Sequence, residues 1–129
     1  MDALQQLFRQ EEIDELVEMN PSIPYQKKED LRKILKLLAD QKCNNRVLRN
    51  IIQTYPFVLT RSPEEIEELI LKFKEYGIVH LEKLFDAYPF ILMKDAYEID
   101  GFFIQKKQEN MSLEEAKKLL EEEPFQIDV

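Results

Sequence analysis

Apolar residues recur along this chain in blocks with a helical period, and the blocks line up when they are counted from proline. Four of the six prolines stand at 21, 56, 89 and 124, with separations of 35, 33 and 35. Five positions before each lies Leu16, Ile51, Leu84 or Leu119; four before lies Val17, Ile52, Phe85 or Leu120; eight before lies Ile13, Leu48, Leu81 or Ala116. This i, i+3, i+4 stripe is what a helix with one buried face requires. A second stripe follows the first three prolines: Leu31, Ile66 and Ile99 ten positions on, Ile34, Leu69 and Phe102 at thirteen, Leu35, Ile70 and Phe103 at fourteen, and Leu38, Phe73 and Lys106 at seventeen. Each unit therefore reads as two amphipathic helices. The proline closes the second of them, because its ring and the restraint on the preceding residue disfavour a continuing helix.

Helix ends fall at equivalent places. Twenty-one positions after the first three prolines come Lys42, Gly77 and Asn110, where a left-handed C-terminal cap is expected, a conformation that glycine and asparagine tolerate best. Ser112 with Glu115 forms a capping-box pattern, and Ser62, Pro63 and Glu65 open a helix in the same way. With two glycines and no run of alternating β-branched residues, helix is expected throughout. A repeat of this period belongs to helical arrays. The expected fold is all-α, a short α-solenoid of helix-turn-helix repeats, about three and a half units at approximately 1–24, 25–60, 61–93 and 94–129 of a single domain, 1–129.

The near-identical hexapeptides TYPFVL (54–59) and AYPFIL (87–92) sit at the unit boundaries. Tyr55 and Tyr88 are expected to end a helix, and Phe57, Val58 and Leu59, with Phe90, Ile91 and Leu92, to pack as an apolar plug between neighbouring units. The outer copies, NPSIP and EPFQI, carry Asn20, Ser22, Glu123 and Gln126, polar substitutions expected of capping units that face solvent.

The stretch VLRNIIQTYPFVLTRSPEEIEELILKFKEYGI, with its proline-started helix and its glycine before the next one, resembles one unit of the mitochondrial transcription termination factor (mTERF) family. Similar units run from about residue 10 to 127. The resemblance implies a curved α-solenoid whose concave groove, in family members, is basic and binds nucleic acid in organelles. This chain differs in being short and acidic, and its first residues are not those of a transit peptide.

Charge adds a pattern to the picture. The net charge is −8, which argues against wholesale nucleic-acid or membrane binding. It divides, however, into −5 over residues 1–26 (one basic, six acidic), +6 over 27–61 (nine and three) and −9 over 62–129 (eight and seventeen). Lys28, Arg32 and Lys36 form one line at i, i+4, i+8, with Lys33 beside it and Lys27 at its edge. Arg46 and Arg49 are placed on the outer face of the next helix, and Lys42 and Arg61 at its borders. Lys27, Lys28, Arg32, Lys33, Lys36, Arg46 and Arg49 are therefore the candidate contacts for an anionic partner, with solvated surface charge as the plain alternative.

Nothing points to catalysis. Gly77 and Gly101 cannot make a phosphate-cradling loop. His80, the sole histidine, lies far in sequence from Cys43, the sole cysteine, and reads as a cap or surface residue; Cys43 shares its slot with Ile78 and Met111 and reads as a small buried hydrophobe. The carboxylate runs EEIDE, PEEIEE and LEEEP fall opposite the apolar stripe, as a solvated face does. The expectation is a non-enzymatic binding or regulatory module in the cytoplasm, with no cofactor, no metal and no membrane contact, engaging a macromolecule. A protein partner comes first, nucleic acid through 27–61 second, and third an acidic mimic of nucleic acid that blocks a basic protein.

Overall fold

The apolar stripes are what the helices bury. The computed structural model describes residues 2–129, and among them are the helices α1 (Asp2–Gln5), α2 (Gln10–Met19), α3 (Lys28–Asp40), α4 (Asn45–Thr54), α5 (Pro63–Glu75), α6 (Leu81–Ala87), α7 (Ala96–Gln108) and α8 (Leu113–Glu122). Short 3-10 turns follow α2, α4, α6 and α8, at Ile23–Tyr25, Pro56–Thr60, Pro89–Met93 and Pro124–Asp128. The fold is all-α, with no strand among the described residues. α5 packs between α3 and α7, α4 packs on α6, and α7 turns back onto α8.

The stripe residues Ile13, Leu16, Ile34, Leu38, Ile51, Ile52, Ile66, Leu69, Phe73, Phe85, Ile99 and Leu120 are buried. Phe73 and Phe85 meet edge to face at 6.1 Å, a preferred aromatic geometry. Lys106 occupies a slot that is apolar in the other units and still fits. Its side chain is 13% exposed, its ammonium reaches Glu109 at 3.5 Å, and it lies 5.5 Å from the Phe102 ring, so the stem is covered while the charge is answered.

The caps form as the residue types dictate. Lys42, Gly77 and Asn110 all have positive φ, 69°, 83° and 65°. One position later Cys43, Ile78 and Met111 donate their backbone N–H groups to the carbonyls of Leu38, Phe73 and Lys106 at 3.3, 3.0 and 3.0 Å, which closes each helix with a Schellman turn. At Gly77 the positive φ favours glycine, while the Lys117 Nζ, 2.9 Å from where a Cβ would lie, is the end of a flexible side chain and can move aside. Ser62 Oγ and Ser112 Oγ accept from the N–H groups of Glu65 and Glu115, at 3.4 and 3.1 Å. Asn44 caps α4 through the N–H of Val47 at 3.0 Å, and Glu98 reaches back to the N–H of Asp95 at 3.2 Å.

At the other end of each unit, Asn20, Tyr55, Tyr88 and Glu123 share one backbone conformation, with φ of −136°, −133°, −145° and −134° and ψ of 86°, 76°, 76° and 70°. Each N–H still bonds the carbonyl four residues back, and the proline that follows turns the chain out of the helix. The hexapeptide then divides by side. Val58, Leu59, Ile91 and Leu92 are fully buried, each worth about 1.5–3 kcal/mol of apolar burial.

Two expectations about these turns need correction. Phe57 and Phe90 do not join the buried plug but stand 50% and 38% exposed, because the 3-10 geometry sends the residue after proline away from the two that follow it. Asn20 does not face solvent; it is the buried polar residue of the core, and its side-chain amide donates to Pro56 O at 3.3 Å and Thr60 Oγ1 at 3.0 Å. The N-terminal segment carried no repeat signal, yet Leu4 and Phe8 are buried, and the Arg49 guanidinium lies 4.9 Å from the Phe8 ring.

Candidate interaction surfaces

The basic segment divides into two populations. Lys27, Lys28, Arg32, Lys33 and Lys36 are exposed at the start of and along α3. Lys36 pairs with Asp40 at 2.9 Å, whereas Lys27, Lys28, Arg32 and Lys33 have no carboxylate at ion-pair distance among the described side chains. Across the neighbouring groove stand Glu64 and Glu67 of α5. The Glu64 carboxyl is held below the usual carboxylate range by its own backbone N–H and by Ser62, with Lys33 adding to the effect.

The arginines of α4 have other occupations. Arg46 pairs with Asp86 at 2.9 Å, beside Asn50, whose amide donates to Asp86 Oδ1 at 2.8 Å and to Asp86 O at 2.9 Å. Arg49 grips Glu12 at 2.8 Å and donates to Leu7 O, which ties α4 to α2 and to the N-terminal segment. That bond, followed by one from the Arg9 N–H, pulls the Glu12 carboxyl down to about 2. The structure thus leaves Lys27, Lys28, Arg32, Lys33 and Lys36 exposed along the outer side of α3 and its N-cap, and places Arg46 and Arg49 in contacts between helices.

A third set of polar side chains joins successive turns. Gln26, Arg61 and Lys94 each stand five positions after a unit-boundary proline. Gln26 Nε2 donates to Leu59 O at 2.9 Å and to Arg61 O at 3.5 Å. Arg61 Nη1 repeats the pattern one unit on, to Leu92 O and to Lys94 O at 3.0 Å, while its Nη2 meets Glu65 at 3.0 Å and Asp95 at 3.2 Å. Lys94 in turn pairs with Asp128. Tyr88 donates its hydroxyl to Asp128, which pushes its pKa up to about 12, with burial adding to the shift. Gln26 and Arg61 thus satisfy carbonyls of the next turn, and Lys94 holds the turn after that through the Asp128 carboxylate. Sequence reading placed Arg61 only at the border of the basic segment; the signal that identifies it is three long donors at one repeat position.

Outside this ladder the turns present apolar surface. Phe57, Phe90 and Phe125 are 50%, 38% and 49% exposed, and Met93 is 45% exposed. Tyr55, itself buried, sits between the rings of Phe57 and Phe90, at 6.5 and 5.9 Å, and Tyr88 lies 6.0 Å from Phe90. Aromatic side chains held by their neighbours on one edge make a pre-ordered apolar contact surface.

The remaining candidates have plain structural roles. Cys43 is buried, and burial pushes its thiol up to about 12, far from a reactive thiolate. His80 is exposed before α6, 3.5 Å from Glu82. No group of three potential metal ligands occurs among the described residues, and no helix there is long and apolar enough to cross a membrane. Comparison with protein-family models, with curated proteins and with solved structures finds no match.

Proposed function

We propose that the chain is a non-catalytic binding module that engages a protein partner, built as a short α-solenoid of helical-repeat units on an mTERF-like plan. The repeat reading is supported by three left-handed caps, four matching helix ends and the ladder of Gln26, Arg61 and Lys94, all at equivalent positions. The observation that carries the binding reading is the half-exposed row of Phe57, Phe90 and Phe125. Three phenylalanines at one repeat position, two of them kept out of a core that buries the aliphatic pair beside them, are the kind of aromatic anchors that protein interfaces concentrate. Against catalysis stand the buried, unreactive Cys43 and a lone His80 with a carboxylate neighbour and no nucleophile beside it.

A second reading, nucleic-acid binding through α3, draws on Lys27, Lys28, Arg32 and Lys33, which have no carboxylate partner among the described side chains. Affinity purification of the tagged chain from its native host separates the two. The protein reading predicts a stoichiometric polypeptide that stays bound after nuclease treatment and at raised salt. The nucleic-acid reading predicts loss of the bound material under both treatments, since counterion release makes phosphate contacts salt-sensitive. Recovery of neither a protein nor a nucleic acid counts against both.

A further inference from the structure

We infer that the edge formed by the 3-10 turns docks an amphipathic helical segment whose apolar face is flanked by lysine or arginine. The inference rests on the protein-binding reading and adds a location and a chemistry to it. The apolar half of the argument is the exposed Phe57 and Phe90, backed by the rings of Tyr55 and Tyr88, together with the exposed Phe125 and Met93.

The charge half lies in what surrounds them. From three positions before to four positions after each unit-boundary proline (18–25, 53–60, 86–93 and 121–128) there is no lysine or arginine, although the chain holds 18. The same stretches contain six carboxylates: Glu18, Asp86, Glu121, Glu122, Glu123 and Asp128. Arg61 and Lys94 follow one position later, but they are only 12% and 15% exposed and are engaged with the neighbouring turn. Asp86 is held by Arg46, Asp128 by Lys94, and Glu122 lies 4.0 Å from Lys118. Glu18, Glu121 and Glu123 have no cation at ion-pair distance among the described residues. A visiting segment therefore meets ring faces, which attract cations, and carboxylates without internal partners.

Other occupants fit this surface less well. A second copy docked edge to edge would set the same carboxylates against one another, on a chain of net charge −8. A nucleic acid would bring phosphates to an edge without cations. A cationic, apolar peptide satisfies both halves, and the exposed Met93 at the end of the third turn adds an unbranched side chain that adapts to it.

The test uses three synthetic helical peptides added to the isotope-labelled chain and followed by amide chemical shifts. The first carries leucine at i, i+3, i+4 and i+7 with lysine at the intervening positions. The second replaces its lysines by glutamate, and the third keeps the lysines and replaces leucine by serine. The first peptide alone is expected to bind, moving the amides of 56–60, 89–93 and 124–128. Combined Phe57→Ser, Phe90→Ser and Phe125→Ser should weaken it by about tenfold or more. A second variant, Glu121→Lys with Glu123→Lys, keeps the rings and should weaken the lysine peptide while improving the glutamate one.

Equal binding of the first and second peptides, or of the first and third, overturns the inference. So do shifts confined to α3, or wild-type affinity in both variants. The same purification, repeated with the serine variant, tells the two levels apart. A partner retained equally by wild type and variant leaves the protein-binding reading standing and removes the edge, whereas no partner for either removes the protein-binding reading itself while the peptide titration still decides the chemistry of the edge.

Discussion

The outer face of α3 and the edge of the turns are both exposed, yet they are built on opposite terms. α3 presents Lys28, Arg32, Lys33 and Lys36 on a single helix, with nothing equivalent on α5 or α7, whose matching positions include Glu67, Glu68 and Leu71, then Asp100, Gly101 and Ile104. The turn edge repeats the same residue, phenylalanine, at the same conformation in three successive units. A patch on one helix can arise from surface charge alone. A feature repeated on the same turn backbone, with a buried aliphatic pair behind it in the two inner turns and a long donor at one position of three, is tied to the architecture, and it is on that basis that the binding reading rests on the turns.

The comparison can be broken from the inside of the turns outward. Leu59→Ala removes a fully buried side chain two positions from Phe57 and should cost about 2–5 kcal/mol in chemical denaturation. Phe57→Ala, on the exposed side of the same turn, should cost less than about 1 kcal/mol. Equal effects would mean that the turn has no inner and outer side. Arg61→Ala leaves the Leu92 and Lys94 carbonyls and Asp95 without their donor and should cost about 2–3 kcal/mol, with faster amide exchange in the third turn as the local readout.

Acid titration sharpens the contrast between paired and unpaired charge. The folded Glu12 pKa, near 2, lies below its unfolded value. Its contribution is therefore present above the unfolded pKa, at about pH 4–5, and is lost as pH falls toward 2. Glu12→Gln should flatten the acid limb of the stability profile; an unchanged slope would show that the Glu12–Arg49 pair contributes nothing. Lys42→Gly relieves a non-glycine left-handed cap and should stabilise by about 0.5–1 kcal/mol. Smallest of all, Lys28→Ala and Arg32→Ala should each move stability by no more than about 0.5 kcal/mol, since no described partner is lost.

The helices α2 to α8, their order and the caps at Lys42, Gly77, Asn110, Ser62 and Ser112 were legible in the pattern because each follows from local rules: an apolar stripe, a proline, a serine three positions before a glutamate. Lys42 shows how far position outweighs residue preference, since it adopts the same left-handed cap as Gly77 and Asn110. What stayed hidden depends on partners distant in sequence. Asn20 looked like a solvent-facing cap until Pro56 and Thr60, 36 and 40 residues on, were seen to receive its amide. Arg46, Arg49 and Arg61 counted as free charge for the same reason. The exposure of Phe57 and Phe90 was hidden by the geometry of the turn, because an aromatic residue beside two buried aliphatic ones reads as core until the backbone separates them.

The central claim is that the two inner turns send their aliphatic pairs inward and, like the last turn, leave a phenylalanine outside, ready for contact. Paramagnetic relaxation from a soluble gadolinium chelate measures this directly. The ring protons of Phe57, Phe90 and Phe125 should relax strongly while the methyl groups of Val58, Leu59, Ile91 and Leu92 stay protected. Rings as well protected as those methyl groups would contradict the account.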